Sequence, residues 1–319
     1  MPIVKNRNYV PPRWMYNGHL QTIVPAIFRK SPVLPFERER INTSDRDFLD
    51  LDWLKQGSEK LLIISHGLEG NSRRPYMQGM ARVFFERGWD VLAWNFRGCS
   101  GELNRQPYFY HSGATHDLAA VMAHAAPRYA SISFVGFSLG GNLTLKYLGE
   151  AHPFKDILHR AVGISVPLNL GDSCDKISMP ENRMYARRFL RSLKFKILAK
   201  SKFFPDQINL GPLSAIQDIR TFDHVYTGPM HGFDSAEDYY AKCSSIHFLE
   251  QINQEVLIIN ARNDPFLSES CFPEQLGERL KNVYMEFPEH GGHVGFRMGG
   301  WKGMYWSEFR AFEFIEGYR

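Results

Sequence analysis

Six short apolar runs recur along the chain, and the segments between them often carry apolar residues at helical spacing. Consecutive apolar positions are typical of strands that are buried on both faces of a sheet. The runs cover residues 60–66, 90–96, 131–137, 161–166, 255–261 and 282–287. Their alternation with helical segments predicts βαβ units, and therefore an α/β fold with a mostly parallel central sheet and helices on both faces.

Helical periodicity is clearest between the first two runs, where apolar residues recur over residues 76–85 and Gly88 follows as a stop signal. A second helix is predicted over residues 115–126, and a third begins at Ser138. A last helix near the carboxyl end has a predicted apolar face, formed by Tyr305, Phe309 and Phe312.

The pattern also predicts how the chain is divided. Residues 36–53 alternate charged and apolar side chains around a Ser-Asp turn, which favours an antiparallel hairpin at one sheet edge. Between about residues 171 and 250 the strand-helix rhythm fails, and an insertion is the simplest explanation. We therefore predict a core formed by residues 1–170 and 251–319, with residues 1–35 packed over it as an extension, and a helical cap over residues 171–250.

Ser138 lies between Gly136 and Gly140 in the pattern G-x-S-x-G. The pattern follows the apolar run 131–137 and precedes a helical stretch, which is the context of a nucleophile elbow. The turn from strand to helix is so tight that side chains at the two glycine positions would collide. Ser138 is then exposed at the carboxyl end of a central strand, with a helix amino terminus behind its oxygen. The alternative is a tight turn in which the serine has no chemical role.

A serine hydroxyl needs a general base and a group that orients this base. Asp264 follows the fifth apolar run, and His290 and His293 follow the sixth, so that the order Ser, Asp, His matches the elbow's known partners. We predict that Asp264 orients His293, which removes the proton from Ser138. Glycines before His293 favour it over His290, which remains the alternative base. A turn-forming Asp-Pro is the alternative interpretation of Asp264.

Attack on an ester carbonyl creates an oxyanion, which needs preorganised N–H donors. The backbone N–H of Leu139 directly follows the predicted nucleophile. A second donor is expected from the glycine-containing loop 66–70 after the first run, and we predict the N–H of Leu68. His66 is expected to brace this loop rather than to transfer protons.

A second polar group stands at the start of the helix predicted over residues 115–126, where His111, His116 and Asp117 lie close in the sequence. Asp117 has two interpretations. It is either a partner of the active-site loops or a residue that stabilises the amino terminus of its own helix.

Composition and charge reduce the support for other classes of function. A chain of 319 residues with a net charge of +4 and no nucleic-acid-binding motif gives little support to a nucleic-acid partner. Four isolated cysteines have no zinc-site spacing and are predicted to be reduced thiols. A metal at His290 and His293 would lack a third ligand, so neither a metal nor a cofactor is expected.

No long apolar stretch or signal-like amino terminus is present, which predicts a cytoplasmic protein.

Over nearly its whole length the sequence resembles the YheT-like branch of the α/β-hydrolases. The resemblance rests on residues 17–29, 66–70, 95–102, 110–118, 136–142, 231–244, 263–266 and 289–296. It implies an α/β-hydrolase fold with Ser138 as nucleophile, Asp264 as acid and His293 as base. Eukaryotic members of the branch include membrane-associated lipid esterases, and this chain is expected to lack their membrane anchor. Ala114 and His116 stand where the family has acidic residues, so no acidic role is carried over to them.

A basic segment lies within the predicted cap. Residues 182–204 contain eight lysines or arginines and no acidic residue. The apolar residues among them are Tyr185, Phe189, Leu193, Ile197 and Phe203. A helix formed by this segment is predicted to rest its apolar side on the core and to offer cations to solvent. Such a surface is either an ordinary solvated face or a site for peripheral contact with an anionic membrane.

These features together predict a cofactor-free serine hydrolase that cleaves carboxylic esters through an acyl-enzyme, with acylglycerols and other lipid esters as candidate substrates. Acyl transfer to an alcohol on the same fold is one alternative. A non-catalytic ligand-binding protein, in which the elbow is only a structural turn, is the other. A monomer or weak dimer is expected because no coiled-coil or interface pattern is evident.

Overall fold

The computed structural model describes residues 3–4, 9–30, 33–299 and 305–318, and within them eight strands form a single sheet. The strands are β1 (Glu37–Asn42), β2 (Phe48–Leu54), β3 (Lys60–Ser65), β4 (Asp90–Asn95), β5 (Ser131–Phe137), β6 (Leu158–Ile164), β7 (Glu255–Ile259) and β8 (Val283–Glu286). Their order across the sheet is β1-β2-β4-β3-β5-β6-β7-β8. From β4 to β8 all neighbouring strands are parallel, which confirms the predicted fold class.

The antiparallel part of the sheet lies at one edge, as the alternating pattern of residues 36–53 predicts. β1 pairs with β2 over six residues, from Glu37 opposite Trp53 to Asn42 opposite Phe48. β2 also pairs with β4 in the antiparallel sense. β1 is largely exposed, and its charged side chains protect the sheet edge from further pairing.

The helices are α1 (Gly18–Phe28), α2 (Pro75–Phe85), α3 (Thr115–Ala125), α4 (Leu139–Gly149), α5 (Leu170–Ser178), α6 (Arg183–Ser201), α7 (Ile219–Phe222), α8 (Gly228–Met230), α9 (Ala236–Cys243), α10 (Glu274–Arg279) and α11 (Trp306–Glu316). In β3, Leu62 and Ile64 pack with α2 and α11, whereas Leu61 and Ile63 pack with α3 and α4 on the opposite face. Side chains two residues apart share a face of a strand, so burial on both faces requires the unbroken apolar runs of the sequence.

The last helix is present, but its predicted apolar face is only partly correct: Phe312 packs against Phe84 in the core. Phe309 is 41% exposed. The buried stripe is instead formed by Trp306, Ala311, Phe314 and Ile315. Tyr305 is the N-cap and lies outside the helix, so the predicted face differs from the buried stripe at Tyr305 and Phe309.

The segment between β6 and β7 is helical and contains α5 to α9. The division of the chain into core and cap at residues 171 and 250 stays a prediction. α6 is the longest helix of this segment, with 19 residues. Of the helices in the described part of the chain, none has the length and hydropathy to span a bilayer.

The predicted orientation of α6 is partly wrong. Tyr185 and Ile197 are buried as expected. Phe203, which follows the helix, is 72% exposed instead of packed on the core. Lys196 and Lys200 turn inward, where Lys200 donates to the backbone carbonyls of residues 104 and 106. The two lysines can point inward because buried carbonyl and carboxylate acceptors compensate for the desolvation of their ammonium groups.

Candidate active site

Ser138 occupies a strained turn between β5 and α4. The strand ends at Phe137, the helix begins at Leu139, and the backbone φ of Ser138 is +52°. A positive φ is unfavourable for a residue that has a Cβ atom. Outliers of this kind persist only where the surroundings impose them, and they cluster at functional sites.

Gly136 and Gly140 make the turn possible because backbone atoms lie where their side chains would be. A Cβ on Gly136 would stand 2.5 Å from the carbonyl oxygen of Gly140. A Cβ on Gly140 would stand 2.3 Å from the carbonyl oxygen of His66. The tight turn therefore explains the glycine at position 136, whereas the glycine at position 140 is required by the carbonyl groups at the end of β3.

The structure brings together the three side chains that the sequence predicts as a triad. Nε2 of His293 lies 2.9 Å from Oγ of Ser138. Nδ1 of His293 lies 2.8 Å from Oδ2 of Asp264 and 3.1 Å from Oδ1. These distances are within hydrogen-bonding range, so one continuous chain of polar contacts joins the hydroxyl, the imidazole and the carboxylate.

Asp264 is held rigidly in the loop after β7. Its carboxylate is buried, and the backbone N–H of Phe266 donates to Oδ1 at 2.9 Å. The ring of Phe266 packs on the imidazole of His293 at a centroid distance of 4.2 Å. The same short segment therefore orients the histidine through both a carboxylate and an aromatic ring.

The loop that carries His293 is fixed by α1, which the residue-level reasoning did not anticipate. The N–H of His293 donates to Oγ1 of Thr22 at 2.9 Å, and the N–H of Gly291 donates to Oε1 of Gln21 at 2.7 Å. Gln21 also accepts from the side chain of Asn263 at 3.0 Å. One helix thus supports the acid loop and the histidine loop together.

Close backbone packing explains why glycines surround these contacts. A Cβ on Gly18 would stand 1.9 Å from the carbonyl oxygen of Asn263. A Cβ on Gly295 would stand 2.0 Å from the carbonyl oxygen of Gln21. In the sequence, this packing is indicated only by residues 17–29, one of the segments on which the family resemblance rests.

His290 does not join the triad. Its side chain is exposed, and its one described polar contact is with the side chain of Asn263 at 3.4 Å. The backbone reverses at Gly292, where φ is +59°, and this turn directs His293 inward. The choice of His293 over His290 therefore agrees with the geometry.

Loop 66–70 lies against the nucleophile: a Cβ on Gly67 would be 3.2 Å from Cβ of Ser138. The N–H of Gly67 donates to Tyr76 Oη at 3.1 Å, and the N–H of Glu69 donates to Tyr110 Oη at 2.8 Å. Among the described residues, the N–H of Leu68 has no acceptor in the protein. The N–H of Leu139 opens α4 and has no intrahelical acceptor. Both predicted oxyanion donors are therefore free to bind a ligand.

His66 braces this loop from within the core. The N–H of Phe96 donates to Nε2 at 3.1 Å, so Nδ1 carries the proton and donates to the carbonyl of Gly67 at 2.8 Å. Complete burial lowers the pKa of His66 to about 3. The ring is consequently neutral and occupied at both nitrogens, in agreement with a bracing role rather than proton transfer.

Glu69 connects loop 66–70 to α6. Its φ is +54°, and its carboxylate accepts from Lys196 at 2.6 Å, from Tyr110 at 2.8 Å and from Ser192. The positive charge of Lys196 helps to lower the pKa of this buried carboxyl against the effect of desolvation. The helical segment and the loop beside the nucleophile are therefore joined by a buried ion pair that sequence reasoning did not identify.

A pocket with an empty volume of about 850 Å³, including its open mouth, borders Ser138 and His293. Leu68 and Leu139 also line it. Most of the remaining wall comes from the helical segment between β6 and β7, and the residues include Leu170, Ile177, Phe189, Leu193, Ile219 and Tyr239. The wall is mainly apolar, which is the usual lining of a small-molecule site.

Asp117 does not reach the active-site loops. Its carboxylate binds Arg97, with Nη2 to Oδ1 at 2.6 Å and Nε to Oδ2 at 2.9 Å. Arg97 also binds Asp45 and Asp47 in the turn between β1 and β2. Within the described residues, the contacts of Asp117 therefore anchor the hairpin.

The four cysteines, Cys99, Cys174, Cys243 and Cys271, are buried free thiols.

A sequence model of the family described as "alpha/beta hydrolase fold" matches residues 60–297. The chain is 35% identical to the protein YheT of Escherichia coli, over 92% of this chain and 87% of that protein. This protein belongs to the α/β-hydrolase fold family, in its YheT-like branch. Phospholipase ABHD3 of Bos taurus is 28% identical over 94% of this α/β-hydrolase and 75% of the relative. A monoacylglycerol lipase of Saccharomyces cerevisiae is 28% identical over 75% of this chain and 55% of the relative.

Solved structures share the fold of this α/β-hydrolase at lower identity. The esterase Pf2001 of Pyrococcus furiosus superposes with a TM-score of 0.59 at 16% identity, covering 98% of both chains. Alpha/beta hydrolase domain-containing protein 10 from mouse superposes with a TM-score of 0.57 at 14% identity, covering 88% of this chain and 98% of that one. The family resemblance and the fold predicted from the sequence are thereby confirmed. The branch is esterase- and lipase-like, as the names of its members indicate.

Proposed function

We propose that this α/β-hydrolase cleaves carboxylic esters through an acyl-enzyme formed on Ser138. The observation that carries the proposal is the hydrogen-bonded chain from Asp264 through His293 to Ser138. A carboxylate at Nδ1 holds the proton on that nitrogen, so the lone pair of Nε2 faces the serine hydroxyl. The imidazole is then ready to accept the hydroxyl proton as Oγ attacks.

In the proposed reaction, Oγ of Ser138 bonds to the ester carbonyl carbon while its proton passes to Nε2 of His293. The N–H groups of Leu68 and Leu139 stabilise the oxyanion of the tetrahedral intermediate. The intermediate collapses to the acyl-enzyme, and the alcohol leaves with the proton from His293. Water then attacks the acyl carbonyl, again with His293 as base, and releases the acid.

The pocket supports an ester with an apolar portion. Leu170, Ile177 and Phe189 present apolar surface beside the nucleophile. Relatives named phospholipase and monoacylglycerol lipase are consistent with lipid esters as the substrate class. In this proposal residues 171–250 act as the cap that shapes the acyl pocket.

A fluorophosphonate probe tests the proposal directly because it phosphonylates only an activated serine. We expect labelling of the wild-type protein at Ser138 and loss of labelling in both Ser138→Ala and His293→Ala. His290→Ala is the matched control and should keep its labelling, since His290 is exposed and outside the triad. Absence of labelling in folded wild-type protein would instead favour a non-catalytic binding protein.

We further propose that α6 makes peripheral contact with anionic membranes. Arg187, Arg188 and Arg191 are exposed on this helix. Phe195, four positions after Arg191 on the same helix, is 70% exposed, and Phe203, just after the helix, is 72% exposed. Cations near an anionic surface combined with exposed aromatic rings are typical of helices that bind the membrane interface.

Vesicle flotation measures this contact. Replacing Arg187, Arg188 and Arg191 by glutamine is expected to lower partitioning onto phosphatidylserine-containing vesicles by roughly 100-fold, because each cation contributes about 1 kcal/mol. Phe195→Ser should weaken binding as well, whereas Phe309→Ser on α11 serves as a control with an exposed phenylalanine elsewhere. If the arginine variant and Phe195→Ser bound the vesicles as strongly as the wild type, the membrane contact would be refuted.

A further inference from the structure

Asp223 lines the same pocket as Ser138 and His293 but has no part in the proposed reaction. It opens a π-helical turn, Asp223–Thr227, within the segment between β6 and β7. Turns of this kind are rare in proteins, and those that occur are often found at functional sites. Of the described residues that line the pocket, Asp223 alone has a carboxylate, and none is a lysine or an arginine.

The carboxylate of Asp223 is buried without a cation. Its oxygens accept from Tyr240 Oη at 2.7 Å and from Thr227 Oγ1 at 2.6 Å, and no lysine, arginine or histidine of the described chain forms an ion pair with it. Arg220 is close enough to influence it, but the guanidinium is bound to Asp175 at 2.9 Å and to Glu237 at 2.8 Å. Burial raises the pKa of Asp223 to about 6.

A buried anion of this kind favours a cationic ligand. A carboxylate has about four acceptor positions, and the two hydroxyl donors of the protein use two of them. Neutral donors do not neutralise the charge, and Arg220, which is bound to two other carboxylates, compensates it only in part. A ligand hydroxyl would add a hydrogen bond without neutralising the charge, and a phosphate or carboxylate group would be repelled.

Aromatic side chains line the same pocket as Asp223. Tyr239 and Tyr240 line the pocket on α9, and Tyr110 and Phe189 line it from other elements. The faces of aromatic rings attract ammonium groups, most strongly where water is excluded. The pocket therefore offers an aliphatic ammonium a carboxylate together with aromatic side chains and an apolar wall.

We propose that Asp223 forms a subsite for an ammonium group, so that the preferred esters carry a positively charged amine away from the scissile bond. This inference rests on the proposed ester hydrolysis and adds to it the charge of the substrate. Asp223 is then a specificity-determining residue, and Tyr240 and Thr227 position its carboxylate.

A pair of isosteric substrates tests the subsite. Butyrylcholine and 3,3-dimethylbutyl butyrate have the same shape and differ in the charge of one atom. We expect wild-type kcat/KM to favour the cationic ester by about tenfold or more, which corresponds to a single good charged contact. In Asp223→Asn the ratio of the two kcat/KM values should fall towards one, through a higher KM for butyrylcholine. Asp206→Asn, an exposed carboxylate of the same segment, is the charge-matched control and should keep the preference.

A binding measurement separates failure of the subsite from failure of the proposed function. Tetramethylammonium chloride should raise the melting temperature of wild-type protein but not of Asp223→Asn, compared with sodium chloride at equal ionic strength. Stabilisation without hydrolysis of either ester would support the subsite and reject the esterase. Hydrolysis of both esters with equal efficiency, or an equal loss for both in Asp223→Asn, would overturn the subsite and leave the esterase intact. If Asp223→Asn does not fold, competitive inhibition of the wild type decides, since choline should then inhibit more strongly than 3,3-dimethylbutan-1-ol.

Discussion

Replacing Ser138 by alanine is expected to lower kcat for p-nitrophenyl butyrate by roughly 10⁵- to 10⁶-fold. The substitution removes the atom that forms the acyl-enzyme, and the remaining rate comes from the oxyanion donors and substrate binding alone. KM should change little, because the apolar wall of the pocket is untouched. Steady-state kinetics with active-site-titrated wild type as reference measure the effect.

The control for this prediction is Ser133→Ala on the same strand. Ser133 is buried, and its hydroxyl has no hydrogen-bond partner in the described structure, so its removal should leave activity near the wild-type value. His293→Ala should cost about as much as Ser138→Ala, and the double variant should be little worse than either single one. Independent, multiplying losses would show that the two residues do not act as one unit.

The strands and the elbow could be predicted from the sequence because their causes are local. β3 and β5 are buried on both faces, which requires consecutive apolar residues within a short window. The turn at Ser138 needs glycines two positions away on each side: a Cβ on Gly136 would meet Gly140 in the same turn, and a Cβ on Gly140 would meet the carbonyl of His66. Spacing and pattern therefore contained enough information for these parts.

The support of the histidine loop could not be predicted in this way. Thr22 contacts His293 across 271 positions of sequence, and neither residue carries a local signal of the contact. The inward rotation of Lys196 on α6 depends on Glu69, which lies 127 positions away. A helical pattern shows which residues share a face but not which face meets a buried acceptor. Long-range polar partners thus account for these two features, which the sequence analysis missed.

The burial of Asp264 and its two contacts lead to a second large effect on catalysis. Asp264→Asn is expected to lower kcat by about 10⁴-fold at neutral pH. The N–H of Phe266 donates to Oδ1, so the amide oxygen of asparagine should take that position. The amide NH₂ then faces Nδ1 of His293 at the place of Oδ2, which is 2.8 Å away. A donor at that place requires a lone pair on Nδ1, and the ring proton must move to Nε2.

With the proton on Nε2, His293 can no longer accept a proton from Ser138. The loss should therefore appear in kcat with a nearly unchanged KM, and fluorophosphonate labelling should slow in proportion. Nitrogen NMR of the imidazole tests the cause separately from the rate, because the proton is expected on Nδ1 in the wild type and on Nε2 in Asp264→Asn. An unchanged tautomer together with a kcat within tenfold of wild type would mean that Asp264 does not set the protonation of the base.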